Sequence, residues 1–379
     1  MRRARTSGKD LMMGVALVAA ILAAPPSDAL ATSWVAHSLT FPSGVTQEAL
    51  YGVGCSSSTT CTAVGQDYNG TWGAHAESGS GSGWAFQTGV TRNPGPKNGR
   101  LSGSSCPSTT WCMTVGSYGN SSGTPAIMAQ VKNGSTWTLY NIGIPLGASQ
   151  AELNAVSCTS SSFCMAVGYK MVSGDDKPFA MVFNGSTWTD SSATTATNAT
   201  LKGVSCPTST YCVAVGSTGG AALAEVWNRG AWSTTSAVVL PTGGSNYLLN
   251  SISCVSSTWC LTVGTYTTGS GNRAIASRWD GALWHAVANL TWAVGTSPIA
   301  YGVSCVSTTQ CFAVGTSSGQ PFADVYDGVT PWSTMPLSVP LGATGGELRG
   351  ISCVSSVRCE ASGWSYFGGT PTGLIETYS

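Results

Sequence analysis

The sequence predicts an all-β chain, a closed ring of seven four-stranded blades, and three observations carry that prediction. All fourteen cysteines fall into pairs of the form Cys-x5-Cys: Cys55/Cys61, Cys106/Cys112, Cys158/Cys164, Cys206/Cys212, Cys254/Cys260, Cys305/Cys311 and Cys353/Cys359. Successive first cysteines lie 51, 52, 48, 48, 51 and 48 residues apart, and a fixed period of this size marks a repeat architecture. In six of the repeats a tryptophan follows the second cysteine at a nearly constant interval, and an isolated Trp34 precedes the first repeat.

In chain order, residues 1–31 read as a secretory signal. Arg2, Arg3, Arg5 and Lys9 form a basic start, Leu11 to Ala24 an apolar run of 14 residues, and Ala29-Leu30-Ala31 a small-x-small cleavage site. The run is short for a bilayer span, which needs about 20 apolar residues, so cleavage and export to the extracellular space are expected. No membrane span is expected in the mature chain, residues 32–379, which is read as one domain.

The fourth repeat shows the unit most clearly. Leu201 to Cys206 is a short apolar strand, Pro207 to Tyr211 a turn, and Cys212-Val-Ala-Val-Gly216 a β-branched strand closed by glycine. Ala221 to Trp227 makes a third strand, Asn228-Arg-Gly230 a turn, and Trp232 opens a fourth. Asn133-Gly134, Asn184-Gly185, Asp280-Gly281 and Asp327-Gly328 occupy the same turn elsewhere, with the glycine that tight hairpins favour. Four strands in about 50 residues make one β-propeller blade. The regular tryptophans (Trp34, Trp84, Trp137, Trp188, Trp232, Trp284 and Trp332) are expected to pack between blades.

The seventh repeat ends at Ser379, where the spacing from Cys359 makes its fourth strand due. Trp34 precedes Cys55 by the interval that separates each later tryptophan from the next first cysteine. Residues 32–40 are therefore expected to supply the outer strand of blade 7 and to close the ring in Velcro fashion. Such closure removes the exposed edge that an open β repeat leaves.

Composition narrows the function classes. The mature chain holds 12 Lys/Arg and 14 Asp/Glu, so no basic stripe for nucleic acid is present. Paired cysteines in an exported chain read as disulfides, one hairpin staple per blade. Structural zinc wants Cys-x2-4-Cys pairs, and His37, His75 and His285 are scattered, so no metal or other cofactor is expected.

The recurring Val-Ser-Cys, Cys-x-Ala-Val-Gly and Asx-Gly-x-x-Trp segments resemble secreted bacterial β-propellers of the Asp-box (BNR) and sialidase-like superfamily. Gly134-Ser-Thr-Trp137 and Gly185-Ser-Thr-Trp188 match the second half of an Asp-box. Lys132 and Phe183 stand at its aspartate position, so these boxes are degenerate. The resemblance covers the whole mature chain and implies a propeller fold. For a sialidase it would imply three arginines, a tyrosine nucleophile with its glutamate, and an aspartic acid/base. Arg100, Arg273, Arg349, Tyr301, Glu152 and Glu347 are the residues from which such a set would be drawn, although no spacing selects them and no catalytic residue is assigned.

The Cys hairpins and Asx-Gly turns share one face, which repeats nearly the same residues. The other face varies, as in Asn93 to Lys97, Ser173 to Lys177 and Pro241 to Asn246. Binding residues ride on variable loops over rigid scaffolds. At the centre of that face, four residues before each first cysteine, stand Tyr51, Ser102, Asn154, Lys202, Asn250, Tyr301 and Arg349. They are the candidate ligand-binding ring, set against a plain water-filled channel mouth as the alternative. Tyr68, Tyr118, Tyr169, Tyr266 and Tyr366, with Trp364, form a second aromatic set, read as blade shielding or a sugar-stacking surface.

The leading expectation is a monomeric extracellular module binding glycan or protein. The alternatives are a sialidase-like glycoside hydrolase or lyase and a structural component of the cell surface.

Overall fold

Alternating apolar residues and Gly-containing turns divide each repeat into four short antiparallel strands, and seven such sheets form. This computed structural model describes residues 33–379 apart from 192–195, 288–296, 329–331 and 336. The expected signal segment, residues 1–31, lies outside the described residues. Blade 4 is typical, with strands Ala199–Thr208, Tyr211–Thr218, Ala221–Asn228 and Ala231–Thr234 in sequential order. Its last turn places Arg229 at φ 50° and Gly230 at φ 98°, the left-handed pair that a two-residue hairpin demands. In blades 3 and 5 the Asx side chain organises the same turn. Asn184 Oδ1 accepts from the backbone N–H groups of Ser186 and Thr187, and Asp280 Oδ1 from those of Ala282 and Leu283.

The seventh sheet is the one assembled from both ends of the described chain. Its first three strands are Gly346–Ser355, Arg358–Phe367 and Thr370–Tyr378, and its fourth is Trp34–Ser38. Trp34 pairs with Tyr378 and Ser38 with Leu374 in an unbroken antiparallel register. The closure expected from the spacing of Trp34 is thus present, and Trp34 packs on Tyr378 with ring centroids 5.4 Å apart.

The disulfides expected from the spacing are all formed. Cys55 joins Cys61, Cys106 joins Cys112, Cys158 joins Cys164 and Cys206 joins Cys212. Cys254 joins Cys260, Cys305 joins Cys311 and Cys353 joins Cys359. Each staples the hairpin between first and second strands, and each closes a loop so short that chain entropy accounts for only about 2 kcal/mol.

The staples are set deeper than the hairpin turns that they close. Cys61, Cys112, Cys164, Cys212, Cys260, Cys311 and Cys359 are all buried, none more than 2% exposed. Each stands near the start of a second strand, the strand enclosed between two others in its sheet. Cys164 lies opposite Phe183, Cys212 opposite Trp227 and Cys260 opposite Trp279, so these sulfurs belong to the apolar packing between blades. Cys61, Cys311 and Cys359 enter the corresponding clusters of blades 1, 6 and 7. The first cysteines are half-buried in five blades and buried in blades 2 and 4 (Cys106 and Cys206), so at least half of each staple is core.

Blade-to-blade cohesion comes from packing. Between blades 2 and 3, Met113, Val115 and Ile127 meet Leu153, Phe179 and Phe183 in a buried cluster. The repeated tryptophans seal these gaps from outside. Trp232 and Trp284 each donate an indole N–H to the preceding blade, to Ser191 and Thr235.

The serine before each first cysteine has a matching role. Ser105, Ser157, Ser205, Ser253, Ser304 and Ser352 each accept, through Oγ, the backbone N–H of the next blade's first cysteine at 2.9–3.0 Å. The bond from Cys55 to Ser352 joins blade 1 to blade 7 across the closure. Gly54 stands at the corresponding position of blade 1, so the joint to blade 2 has no such latch. No helix among the described residues is long and apolar enough to cross a membrane.

Candidate functional site

A β-bulge in every innermost strand builds the central ring. The register between first and second strands slips by one residue at Leu50/Gly52, Leu101/Gly103, Leu153/Ala155, Leu201/Gly203, Leu249/Ser251, Ala300/Gly302 and Leu348/Gly350. The residue left over is Tyr51, Ser102, Asn154, Lys202, Asn250, Tyr301 or Arg349. An unpaired bulge residue is free to be re-aimed, and all seven side chains line one axial cavity of about 220 Å³. They also line, with Arg100, a second cavity of about 220 Å³ that forms its mouth.

The glycine ending each Cys-x-Ala-Val-Gly run follows from the same bulge. A Cβ on Gly65, Gly116, Gly168, Gly216, Gly264, Gly315 or Gly363 would lie 1.9–2.0 Å from a carbonyl oxygen of the innermost strand. That carbonyl belongs to the residue two before the ring position. Small residues after the ring position let neighbouring inner strands approach; a Cβ on Gly350 would come within 2.8 Å of Gly52 Cα.

The ring is chemically lopsided. On one side the Arg349 guanidinium lies 3.7 Å from the Tyr301 ring centroid and 5.0 Å from that of Trp364, and bonds Glu347 at 2.9 Å. Tyr51 meets Trp364 edge-on at 5.6 Å, with Arg100 also 5.6 Å from its ring. On the other side Asn154 and Asn250 each donate from Nδ2 to the next blade, to Leu201 O at 2.8 Å and Ala300 O at 2.7 Å. Those two residues therefore hold blades together as well as facing the channel.

Burial sets the electrostatics. It pulls the Lys202 ammonium below its ordinary range, opposed by Glu152, and raises the Tyr51 and Tyr301 phenols. Burial also lifts Glu347, which Arg349 and Tyr301 pull back down. The Tyr169 phenol is pushed up to about 12 by burial and then by Glu152 and Asp176.

The structure adds a second tier, two residues before the ring positions on the inner strand and paired across to the second strand. Cross-strand partners just above the bulge are Ala49/Gln66, Arg100/Ser117, Glu152/Tyr169 and Glu347/Trp364. Arg100 bonds Glu152 at 2.9 Å across blades 2 and 3. Of the three arginines in the sialidase-like set, Arg100 and Arg349 line the mouth. Arg273 instead bonds Asn272 O and Ser270 Oγ in the blade 5 hairpin. In the second aromatic set, Tyr118 is buried and donates to Asn141, and Tyr247 stacks on Tyr266 at 5.3 Å, whereas Trp364 is buried against Arg349 and Tyr51 behind the mouth.

Two fully exposed leucines stand on the rim of the same face. Leu146 and Leu341 occupy matching turns, where Ala148 N–H bonds Pro145 O and Ala343 N–H bonds Pro340 O. Their signal in the sequence is the repeated Ile/Val-Pro-Leu-Gly-Ala at residues 144–148 and 339–343.

No protein-family model matches the chain, and no curated protein matches it significantly. Among solved structures it is similar to YCF48 bound to D1 peptide. The identity is 13%, over 91% of this chain and 94% of that one, with a TM-score of 0.55. That likeness supports the propeller fold. Weaker likenesses are to Trypanosoma rangeli sialidase in complex with the inhibitor DANA (8% identity, 91% and 59% covered, TM-score 0.48) and to SapL1 lectin in complex with alpha methyl fucoside (12%, 69% and 91%, 0.43).

Proposed function

We propose that the chain is a secreted binding module that holds an extracellular glycan or protein at the mouth of its channel. One observation carries this reading: seven bulges aim side chains of five kinds into one cavity while the residues around them stay nearly uniform. Tyr51 and Tyr301 offer flat amphipathic rings, and Arg100 and Arg349 offer guanidinium groups for carboxylates or hydroxyls. The exposed rim leucines favour a protein ligand, since isolated glycans have little use for aliphatic tips. YCF48, of the same fold, is seen bound to D1 peptide. Seven disulfides fit folding in an oxidising, extracellular compartment, as does the leader read in residues 1–31. The Asx-Gly-x-x-Trp turns serve as degenerate Asp-boxes in this reading, shaping hairpins and not the site.

Screening glycan and peptide arrays with the wild type and with Arg349→Ala tests the reading. Saturable binding weakened at least tenfold by the substitution supports it, and absence of any saturable ligand on either array sinks it. A hydrolytic reading draws on Glu347, which faces both Tyr301 and Arg349. Turnover of fluorogenic glycosides that vanishes in Tyr301→Phe would establish it in place of binding.

A further inference from the structure

The geometry points to a divalent transition-metal site, made by Glu48, His75 and Glu77, at the seam where blade 1 meets blade 7. All three side chains are buried, and their ligand atoms lie within 4.8 Å of one another. His75 Nε2 is 3.0 Å from Glu48 Oε1 and 3.2 Å from Glu77 Oε1. Metal bonds of about 2.0–2.2 Å put neighbouring ligand atoms at about this separation.

The position is unusual within this chain. In the register between second and third strands, the six residues equivalent to His75 are Met128, Phe179, Leu223, Ile275, Phe322 and Leu374. Each packs against the preceding blade as core. Blade 1 alone puts an imidazole there, opposite Gly65, and surrounds it with carboxylates. Replacing core with ionisable groups costs stability unless those groups are satisfied.

Hydrogen bonds reach both nitrogens of the imidazole but leave Glu48 short. The other ring nitrogen, Nδ1, sits 3.0 Å from Asp67 Oδ2, and the Arg92 guanidinium bonds Asp67 Oδ1. An imidazole that donates from Nδ1 to a fixed carboxylate presents a lone pair at Nε2, the arrangement by which an outer carboxylate orients a metal-binding histidine. Here that lone pair faces two carboxylate oxygens, so a positive species belongs between them. Glu48 is fully buried, and neither of its oxygens has an aligned hydrogen bond; Oε1 meets only the His75 nitrogen. Three carboxylates and one guanidinium leave two negative charges, which one divalent cation or two protons cancel, and the titration below separates the two.

An imidazole with two carboxylates selects zinc or manganese over the oxygen-loving calcium. The site is closed to solvent, so its role is structural. A Cβ on Gly373 of blade 7 would meet Glu48 Oε1 at 2.5 Å, which places the cluster directly against the closing blade. Cysteine spacing and the scattered histidines gave no sign of it. The ligands come from two strands of one blade, the aspartate behind them from a third, and they converge only after folding.

The test uses the full exported chain with its disulfides intact. After chelator stripping, titration with ZnCl2 and MnCl2 by calorimetry is expected to show one equivalent bound and a raised thermal midpoint. Glu48→Gln abolishes binding, Asp67→Asn weakens it about 10–100-fold, and Asp190→Asn, on the exposed outer strand of blade 3, leaves it intact. A folded wild type that binds neither ion stoichiometrically overturns the proposal, as does undiminished binding in Glu48→Gln. If that variant does not fold, zinc-edge anomalous scattering from wild-type crystals decides. An ion between His75 Nε2 and the two glutamates supports the site, and an ion elsewhere or none overturns it.

Discussion

At Gly216 a Cβ would lie 1.9 Å from Thr200 O, so Gly216→Ala must either move the inner strand or undo its bulge. A loss of roughly 2–4 kcal/mol is expected in urea unfolding. The residue scale also holds a pH dependence. Glu376 is fully buried, its oxygens lack hydrogen-bond partners among the described residues, and burial pushes its pKa from 4.5 to about 8. A folded-state pKa raised above the unfolded one means that the native state keeps a proton the unfolded chain releases. The contribution of Glu376 to stability is therefore fullest below about pH 4.5, declines as pH rises toward 8, and is lost beyond. Asp324, pushed to about 7 by burial, acts in the same direction. Glu376→Gln should flatten the decline and stabilise the ring at pH 8 by on the order of 3 kcal/mol. An unchanged slope between pH 5 and 8 would count against this assignment.

At the scale of the element, the inner strand does three jobs with neighbouring residues. Its bulge residue faces the channel, its next residue is small enough for close blade contact, and its serine latches the following blade. Ser205→Ala removes one latch and leaves the Cys254 N–H without that acceptor. About 1 kcal/mol of destabilisation is expected, and Ser352→Ala should match it if the closing joint resembles the others. These strands were legible in the sequence because the cysteine pairs act as rulers, and the ring could be counted from them without knowing that its members are bulge residues. What the rulers did not show was their own depth: spacing pairs Cys164 with Cys158, but only the assembled sheet turns Cys164 toward Phe183. The second tier was legible only in part. Arg100 and Glu347 stand two residues before ring positions, whereas Trp364 becomes a neighbour of the ring only through the cross-strand register. The rim leucines were written plainly in a repeated five-residue string, yet a turn carries no mark of exposure until the ring is built.

Across the whole molecule, the split blade makes both ends of the described chain part of one cooperative unit. Deleting residues 32–40 removes the strand paired with Thr370–Tyr378 and exposes that edge. The thermal midpoint of the entire ring should fall in a single transition, and an unchanged midpoint would refute the role of that strand in closure. Leu146→Ser with Leu341→Ser makes the opposite forecast. Both side chains are fully exposed, so stability should change by no more than about 0.5 kcal/mol. Binding of a protein ligand, measured by calorimetry, should weaken clearly.

The bulge has one last consequence, for how such a molecule diversifies. Each channel residue stands outside the strand ladder and is positioned by its backbone, and although Asn154 and Asn250 also tie blades together, none of the seven belongs to the apolar clusters between blades. Substituting it need not repack a core. Seven positions, one from each blade, thus behave as one short word read around a circle, most of whose letters can change without renegotiating the fold.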